Sequence, residues 1–480
     1  MRIKRTIGGF FVALFLVVSI GQVVSATAGT PEWSEQVVAE TSSDAGSNTS
    51  AQEAEEAISL YAMAAVLMDA DTGRVLYGKS ENDVLAMAST TKIMTCITVL
   101  EHVEDLDEIV SVSSYAASMP KVKLYIKQGE EYPVRELLFS LMLESHNDSA
   151  VALAEHVGKR YVEELKKKEV SEFTKEESKQ AVAAFADLMN EKARELGCME
   201  TYFITPNGLD ATETITLENG EIITKEHGTT AAELAKIMSY CIKESPKRDL
   251  FLEITRTPSY AFSENGRSFS CNNHNAFLNM MDGALSGKTG FTNKAGYCYV
   301  GALERDGRTF VVALLGCGWP NNKSYKWSDT KELMQFGIEN FFYRSFDEEN
   351  VAFDEAKLMP IPVREGQSEV LGEEVYTGVK VVVNEGTKSM TEGRMDGQTD
   401  AEVKNVNGLL LRADETIEVI FEQTDVLAAP VEADTPVGNI CYTVNGVVYR
   451  TDSIVTTDTI IKIDFHWCMK EIWERFLLEL

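Results

Sequence analysis

Ala88-Ser-Thr-Thr-Lys-Ile-Met94, running on as Thr95-Cys-Ile-Thr-Val-Leu100, places a serine and a lysine directly ahead of an apolar helical run. At i and i+3 on a helix, Ser89 and Lys92 project from the same face. Ile93, Met94, Ile97, Val99 and Leu100 would anchor that helix in a core. Ser89 would then stand near the helix N-terminus, where free backbone N–H groups and the helix dipole favour negative charge. A serine hydroxyl is a weak nucleophile at neutral pH and needs an adjacent base, which a lysine supplies when desolvation or a nearby cation keeps it neutral. The spacing is not decisive by itself: Ser118-Met-Pro-Lys121 repeats it, but with a proline inside and no apolar run behind.

Two further motifs give the first its meaning. Ser145-His-Asn147 falls between two helical stretches, so one short loop could bring a hydroxyl and an amide beside Ser89. Asn147-Asp148 fits a helix cap equally well. Lys288-Thr-Gly290 precedes an apolar run at 297–303 and reads as a strand lining a cleft. It offers a cation and a hydroxyl to a substrate carboxylate, and a glycine that lets backbone come close.

Outward from these motifs, residues 62–68 and 74–77 form a hairpin turned by Asp69-Ala-Asp-Thr-Gly73. Residues 297–303 and 309–316, turned by Arg305-Asp-Gly307, repeat the pattern, and with the Lys288 strand they predict five mostly antiparallel strands assembled from both ends of one domain. Helical periodicity covers 91–103, 134–143, 149–157 and 181–196, while the charged stretch 159–179 reads as a solvated insertion. Beyond about 345 an acidic stretch at 346–355 suggests a hinge. Candidate strands follow at 378–383, 408–411, 416–422 and 440–451, the last folded at Asn445-Gly446. The chain closes on an amphipathic helix with Phe465, Met469, Ile472, Trp473, Phe476 and Leu480 on one face.

The fold class expected is therefore mixed α/β (α+β). Residues 1–28 read as a signal peptide (basic start, apolar 7–24, Ala26-Thr-Ala28), and an uncleaved anchor is the competing reading of the same run. The rest divides into a flexible acidic linker at 29–57, a catalytic domain at 58–345, a small β-sandwich-like domain at 356–460 and a terminal helix at 461–480. A formal charge of −30 over 480 residues excludes a nucleic-acid binder, which needs a basic face. Eight cysteines sit mostly in apolar runs without metal-ligand spacing, so no metal is expected and buried free thiols are favoured over a disulfide framework. Cys298 and Cys317, on neighbouring strands, are the one pair that could cross-link. Thiols in an exported chain point to a reducing or anaerobic setting.

S-x-x-K, an S-x-N triplet and K-T-G together form the signature of β-lactamases and penicillin-binding proteins. The chain resembles the low-molecular-mass penicillin-binding proteins, specifically serine-type D-alanyl-D-alanine carboxypeptidases. Asp69-Ala-Asp-Thr-Gly73-Arg-Val-Leu-Tyr77, Ser145-His-Asn-Asp148, Leu196-Gly197, Thr205-Pro-Asn-Gly-Leu-Asp210, His227 with the helix from Thr230, and Lys288-Thr-Gly-Phe-Thr292 with Ala295-Gly-Tyr297 extend the likeness, as do the β-domain and terminal helix. The resemblance implies a penicillin-binding, serine β-lactamase-like catalytic domain with a helical subdomain. Ser89 would be acylated by the penultimate D-alanine of peptidoglycan stem peptides, with β-lactam antibiotics as inhibitors and no cofactor. Lys92 would be the base, and Ser145 with Asn147 a proton relay and amide clamp. Lys288 and Thr289 would hold the terminal carboxylate beside Gly290, and the backbone N–H groups of Ser89 and Phe291 the oxyanion.

Two departures from the family pattern bear on substrate preference: His146 in place of a usual glycine, and Pro120-Lys-Val-Lys123 in place of a Gly-Ser type stretch. A β-lactamase lacks support, because no Glu-x-x-x-Asn segment supplies a fast deacylating base. A transpeptidase or endopeptidase uses the same acyl-serine chemistry, and a non-catalytic wall-peptide binder would not need the intact Ser89, Lys92 and Lys288. The expected location is the extracytoplasmic face of a bacterial membrane or the cell wall, with the terminal helix docking on the membrane surface or packing on the β-domain.

Overall fold

Ala64–Asp69 (β1) and Val75–Lys79 (β2) pair antiparallel across the Asp-rich turn. Far along the chain Ala284–Thr292 (β3), Gly296–Arg305 (β4) and Arg308–Leu315 (β5) complete a sheet of order β2-β1-β5-β4-β3, antiparallel throughout. The β4–β5 turn puts Asp306 and Gly307 at φ 53° and 73°, the geometry a tight hairpin requires. The sheet is covered on both faces, so β1 is buried at every residue. Ala64, Val66 and Met68 enter one core while Ala65 and Leu67 enter the other, as a period of two dictates.

The larger core is closed by Lys92–His102 (α1), Val134–Leu143 (α2), Asn147–Gly158 (α3), Lys175–Glu195 (α4), Ala231–Lys243 (α5) and Arg248–Arg256 (α6). Tyr325–Asn340 (α7) covers the opposite face through Leu333, Met334 and Phe336. The structure is a computed structural model that describes residues 58–216, 220, 222–348, 351–368, 370, 372–384 and 406–478. The leader expected at 1–28 and the tether expected at 29–57 lie outside the described residues.

Several expectations are corrected. Helix α4 starts at Lys175 and not at 181, because Thr174 and Glu177 form a reciprocal capping box that the charge of the segment disguises. The stretch before it is no bare solvated insertion: Leu165, Val170 and Phe173 gather with Ala181 in a small core of their own. Helix α3 begins at Asn147, two residues earlier than its apolar period. Hairpins Thr212–Thr216 with Ile222–Glu226 and Ser259–Glu264 with Arg267–Asn272 add to what periodicity revealed. All eight cysteines are free; Cys298 packs in the larger core and Cys317 in the smaller, so the sheet separates the one pair that could have bonded.

Past α7, Phe342–Ser345 (β6) leads into a β-rich region with its own core. Val379–Val382 (β7), Gly408–Leu411 (β8), Glu418–Gln423 (β9), Pro436–Val444 (β10) and Val447–Thr456 (β11) give a four-stranded antiparallel sheet, β7-β11-β10-β9, while β8 pairs with β6. The stretch expected as a hinge does not stand free: Phe346 is buried there with its ring 5.3 Å from that of Tyr442. Arg74, in the β1–β2 turn, ion-pairs with Glu415 and donates to the Leu410 carbonyl, and all of its charge is sheltered where the two regions meet. Phe465–Leu478 (α8) ends the described chain. Among the described residues no helix is long and apolar enough to cross a membrane.

Candidate active site

The turn that delivers Ser89 is strained and heavily tied. Ala88 sits at φ 48°, a conformation a side chain resists, and a short 3-10 helix over Ala88–Thr91 runs from it into α1. Thr90 Oγ1 donates to the Met87 carbonyl at 2.6 Å and Thr91 Oγ1 to that of Ala88 at 2.8 Å. His227 pins the same turn from outside. Its Nδ1 accepts from Ile204 N at 2.9 Å, which leaves the proton on Nε2, and Nε2 lies 2.8 Å from Thr91 Oγ1, a hydroxyl whose own proton is committed. Burial holds His227 down to about 3, so it stays neutral as this network needs.

Lys92 is wholly buried, and its Nζ lies 2.9 Å from Ser89 Oγ, 3.0 Å from Asn147 Oδ1 and 2.5 Å from the Asn207 carbonyl. Burial, and then the charge of Lys288, hold its pKa well below the usual lysine range. Nζ donates to all three oxygens, and Ser89 Oγ also lies 3.4 Å from the same Asn207 carbonyl. A neutral amine has only two N–H donors, so loss of a proton would turn one of these contacts into an acceptor, and Ser89 is the one partner with a proton to give. Asn147 is fixed in turn, because Nδ2 donates to the Pro120 carbonyl at 3.2 Å while Oδ1 accepts from Lys92. It opens α3 without capping it. The buried Asp148 accepts from one amide of that first turn, Ser149 N at 3.0 Å, and also holds the loop alongside: its carboxylate accepts from Leu124 N at 2.9 Å, Tyr125 N at 2.8 Å and Ile126 N at 3.2 Å.

Ser145 lies in the turn between α2 and α3 at φ 65°, and its buried Oγ has no hydrogen-bond partner among the described residues, so it is bonded to neither Lys92 nor Ser89. His146, the departure from the usual glycine, points away from Ser89's network and into the fold, with Nδ1 2.8 Å from Ser140 Oγ, and Ser140 Oγ in turn 2.8 Å from Ser149 Oγ. Desolvation brings its pKa down to about 4.

Strand β3 forms the opposite wall. A Cβ on Gly290 would stand 2.9 Å from Ser89 N and 3.1 Å from Thr90 N, so only glycine lets the strand lie against the serine's backbone. Lys288 is buried and donates to the Thr289 carbonyl at 3.0 Å, and burial lowers its pKa to about 7. Thr289 pairs across to Tyr299, and Phe291 to Tyr297 with ring centroids 4.7 Å apart. The floor is Thr205-Pro-Asn-Gly-Leu-Asp210, where Gly208 takes φ 79° against the Ala88 carbonyl and Asp210 accepts from Thr292 at the end of β3 at 3.0 Å. Sequence reasoning had no access to the Asn207 carbonyl, because a backbone acceptor leaves no residue-type signal beyond the Asn-Gly turn. Among the described residues no cluster of His, Cys, Asp or Glu could hold a metal ion.

A buried amine 2.9 Å from a serine hydroxyl, at a helix start and beside a strand, is the equipment of an active-site serine peptidase. The sequence profile described as D-alanyl-D-alanine carboxypeptidase matches residues 48–173 and 177–317. The chain belongs to the D-alanyl-D-alanine carboxypeptidase family. It is 30% identical over 285 residues to D-alanyl-D-alanine carboxypeptidase DacF of Bacillus subtilis, covering 58% of this chain and 63% of that relative, just under two thirds of its length. It is 30% identical over 276 residues to D-alanyl-D-alanine carboxypeptidase DacB2 of Mycobacterium tuberculosis, covering 57% of this chain and 81% of that one. Among solved structures, a D-alanyl-D-alanine carboxypeptidase from Mycobacterium tuberculosis H37Rv is similar at 27% identity with a TM-score of 0.48, over 59% of this chain and 92% of that chain.

Proposed function

We propose that this chain is an exported serine D,D-carboxypeptidase that trims the terminal D-alanine from peptidoglycan stem pentapeptides. Ser89 Oγ attacks the penultimate D-alanine carbonyl as its proton passes to Lys92 Nζ; collapse of the adduct breaks the C–N bond, and the proton goes to the departing D-alanine amine. Water then attacks the ester, restoring Ser89 and releasing the shortened peptide. The observation that carries the reading is the placement of Lys92: its buried Nζ lies 2.9 Å from Ser89 Oγ, held there between Asn147 Oδ1 at 3.0 Å and the Asn207 carbonyl at 2.5 Å.

The remaining roles extend from the same geometry. Asn147 clamps the amide on the acyl side, and Ser145, with a free hydroxyl, relays the proton toward the leaving amine once substrate enters. Lys288 and Thr289 take the terminal carboxylate, and Ser89 N with Phe291 N the oxyanion, each donor worth about 3 kcal/mol in a transition state. Penicillins would acylate Ser89 by presenting a strained amide to the same groups.

Export rests on the leader-like residues 1–28, and membrane contact on α8, where Phe465, Met469, Ile472 and Trp473 are all exposed, Phe465 at 80%. Glu471 and Glu474 face lipid headgroups poorly, so apolar burial would supply the attachment. Removal of residues 465–480 is expected to free the processed protein from membrane pellets, and unchanged sedimentation with membranes would refute docking.

The deciding experiment follows D-alanine release from a peptide ending Lys-D-Ala-D-Ala by the full chain and by Ser89→Ala, with intact mass after penicillin treatment. Release and a long-lived adduct in wild type, both absent in the variant, are expected. Rapid penicillin turnover would indicate a β-lactamase instead, transfer of the acyl group to an added amine a transpeptidase, and peptide binding without release a non-catalytic binder.

A further inference from the structure

The loop between Ser118 and Gly129 is chemically out of keeping with the rest of the chain. It holds Lys121, Lys123 and Lys127 and no acidic residue, in a protein of net charge −30. Its backbone is fastened to the active site at two levels. Pro120 O accepts from Asn147 Nδ2 at 3.2 Å and Val122 O from Asn147 N at 2.8 Å, so residue 121 lies between two carbonyls bound to Asn147. Behind it the Asp148 carboxylate holds three successive amides, 124 to 126. The loop is thereby a pre-shaped surface whose outward side chains are Lys121, Val122 and Tyr125, the latter two more than half exposed.

The three lysines are not equivalent. Lys123 is engaged, its Nζ 3.2 Å from the Ala117 carbonyl and 5.3 Å from the centre of the Tyr125 ring. Lys127 lies beyond the segment that Asp148 holds, where its backbone N–H donates to Glu130. Lys121 is exposed and has neither an ion pair nor a hydrogen bond among the described residues. In so acidic a protein, an unpaired cation one residue from the site is available to a ligand.

We propose that Lys121 selects substrates whose residue before D-Ala-D-Ala carries a side-chain carboxylate, such as a diamino dicarboxylic acid, over those carrying an amine alone. The inference rests on the carboxypeptidase reading, because Asn147 then clamps the amide joining that third residue to the penultimate D-alanine. Because Asn147 is bonded to the backbone of both 120 and 122, a third side chain positioned by that clamp would emerge beside the segment that carries Lys121. Asp148 removes much of the ordering cost, since the loop is already held.

The test compares kcat and KM of the full chain on two peptides ending X-D-Ala-D-Ala, with X meso-diaminopimelate either as the free acid or with its side-chain carboxylate amidated. Wild type is expected to favour the free acid roughly three- to fivefold, through KM, with the preference shrinking in high salt, the size and behaviour of an exposed ion pair. Lys121→Gln should abolish the preference and leave kcat on the amidated peptide unchanged, and Lys121→Glu should reverse it. Equal use of both peptides by wild type, or a preference that persists in Lys121→Gln, overturns the inference and leaves the carboxypeptidase reading intact. Cleavage of neither peptide, with no penicillin adduct on Ser89, overturns both.

Discussion

Lys92 and Lys288 make opposite demands on one proton supply. In the proposed mechanism Lys92 has to be neutral to take the serine proton, and Lys288 has to be charged to hold a carboxylate. Burial lowers both, and the charge on Lys288 helps keep Lys92 neutral, so the two requirements reinforce each other. Lys288, at about 7 in the free protein, loses its proton as pH rises through that value. KM for a peptide with a free C-terminal carboxylate should therefore climb by about tenfold per pH unit well above 7, while a C-terminal amide should show no such climb. A flat KM for the free acid between pH 7 and 9 would remove Lys288 from carboxylate binding. Lys92→Arg should abolish acylation, because a guanidinium stays protonated and cannot take the serine proton, and penicillin adduct formation reads this directly. Both lysines stood out in the sequence through their motifs; Asn207 did not, since it contributes a carbonyl that any residue could present.

The elements carrying these groups were unequally legible. Strands β1, β4 and β5 and helices α1 and α2 announce themselves by apolar period, because each is packed on the sheet or in the core. Helix α4 hid its first turn because Lys175, Glu176, Lys179 and Gln180 face water, and only the Thr174–Glu177 cap marks the start. Thr174→Ala should lower stability by about 1 kcal/mol in urea unfolding and leave D-alanine release untouched. The loop at 120–126 has neither period nor turn signature; its shape comes from Asp148, 24 residues away from Leu124 in sequence, and no local pattern encodes that. Asp148→Ala strands the amides of residues 124 to 126, two of them buried, and should cost about 3 kcal/mol, with faster hydrogen exchange at 124–126 and a lowered kcat/KM. Gly290→Ala tests the opposite wall: a Cβ there meets Ser89 N at 2.9 Å, so activity should fall about a hundredfold with little change in melting temperature.

At the scale of the whole molecule, the two regions are joined by more than the chain. Arg74 and Glu415 are each only 7% exposed, and β6 pairs with β8 immediately after α7. Arg74→Ala leaves the Glu415 carboxylate buried without its partner and should cost about 3 kcal/mol. Calorimetry should then show the β-rich region melting ahead of the catalytic sheet, whereas one unsplit transition at the wild-type temperature would show the joint to be inconsequential. Strand β3 ends the five-stranded sheet, and among the described residues no sixth strand pairs with it. A bare sheet edge is ordinarily a hazard, a template for any extended chain. Here the same edge borders Ser89, so under the proposed reading an extended peptide that joined the ladder would be brought to the serine by the act of pairing, and the guest that completes the sheet would be the one that is cut.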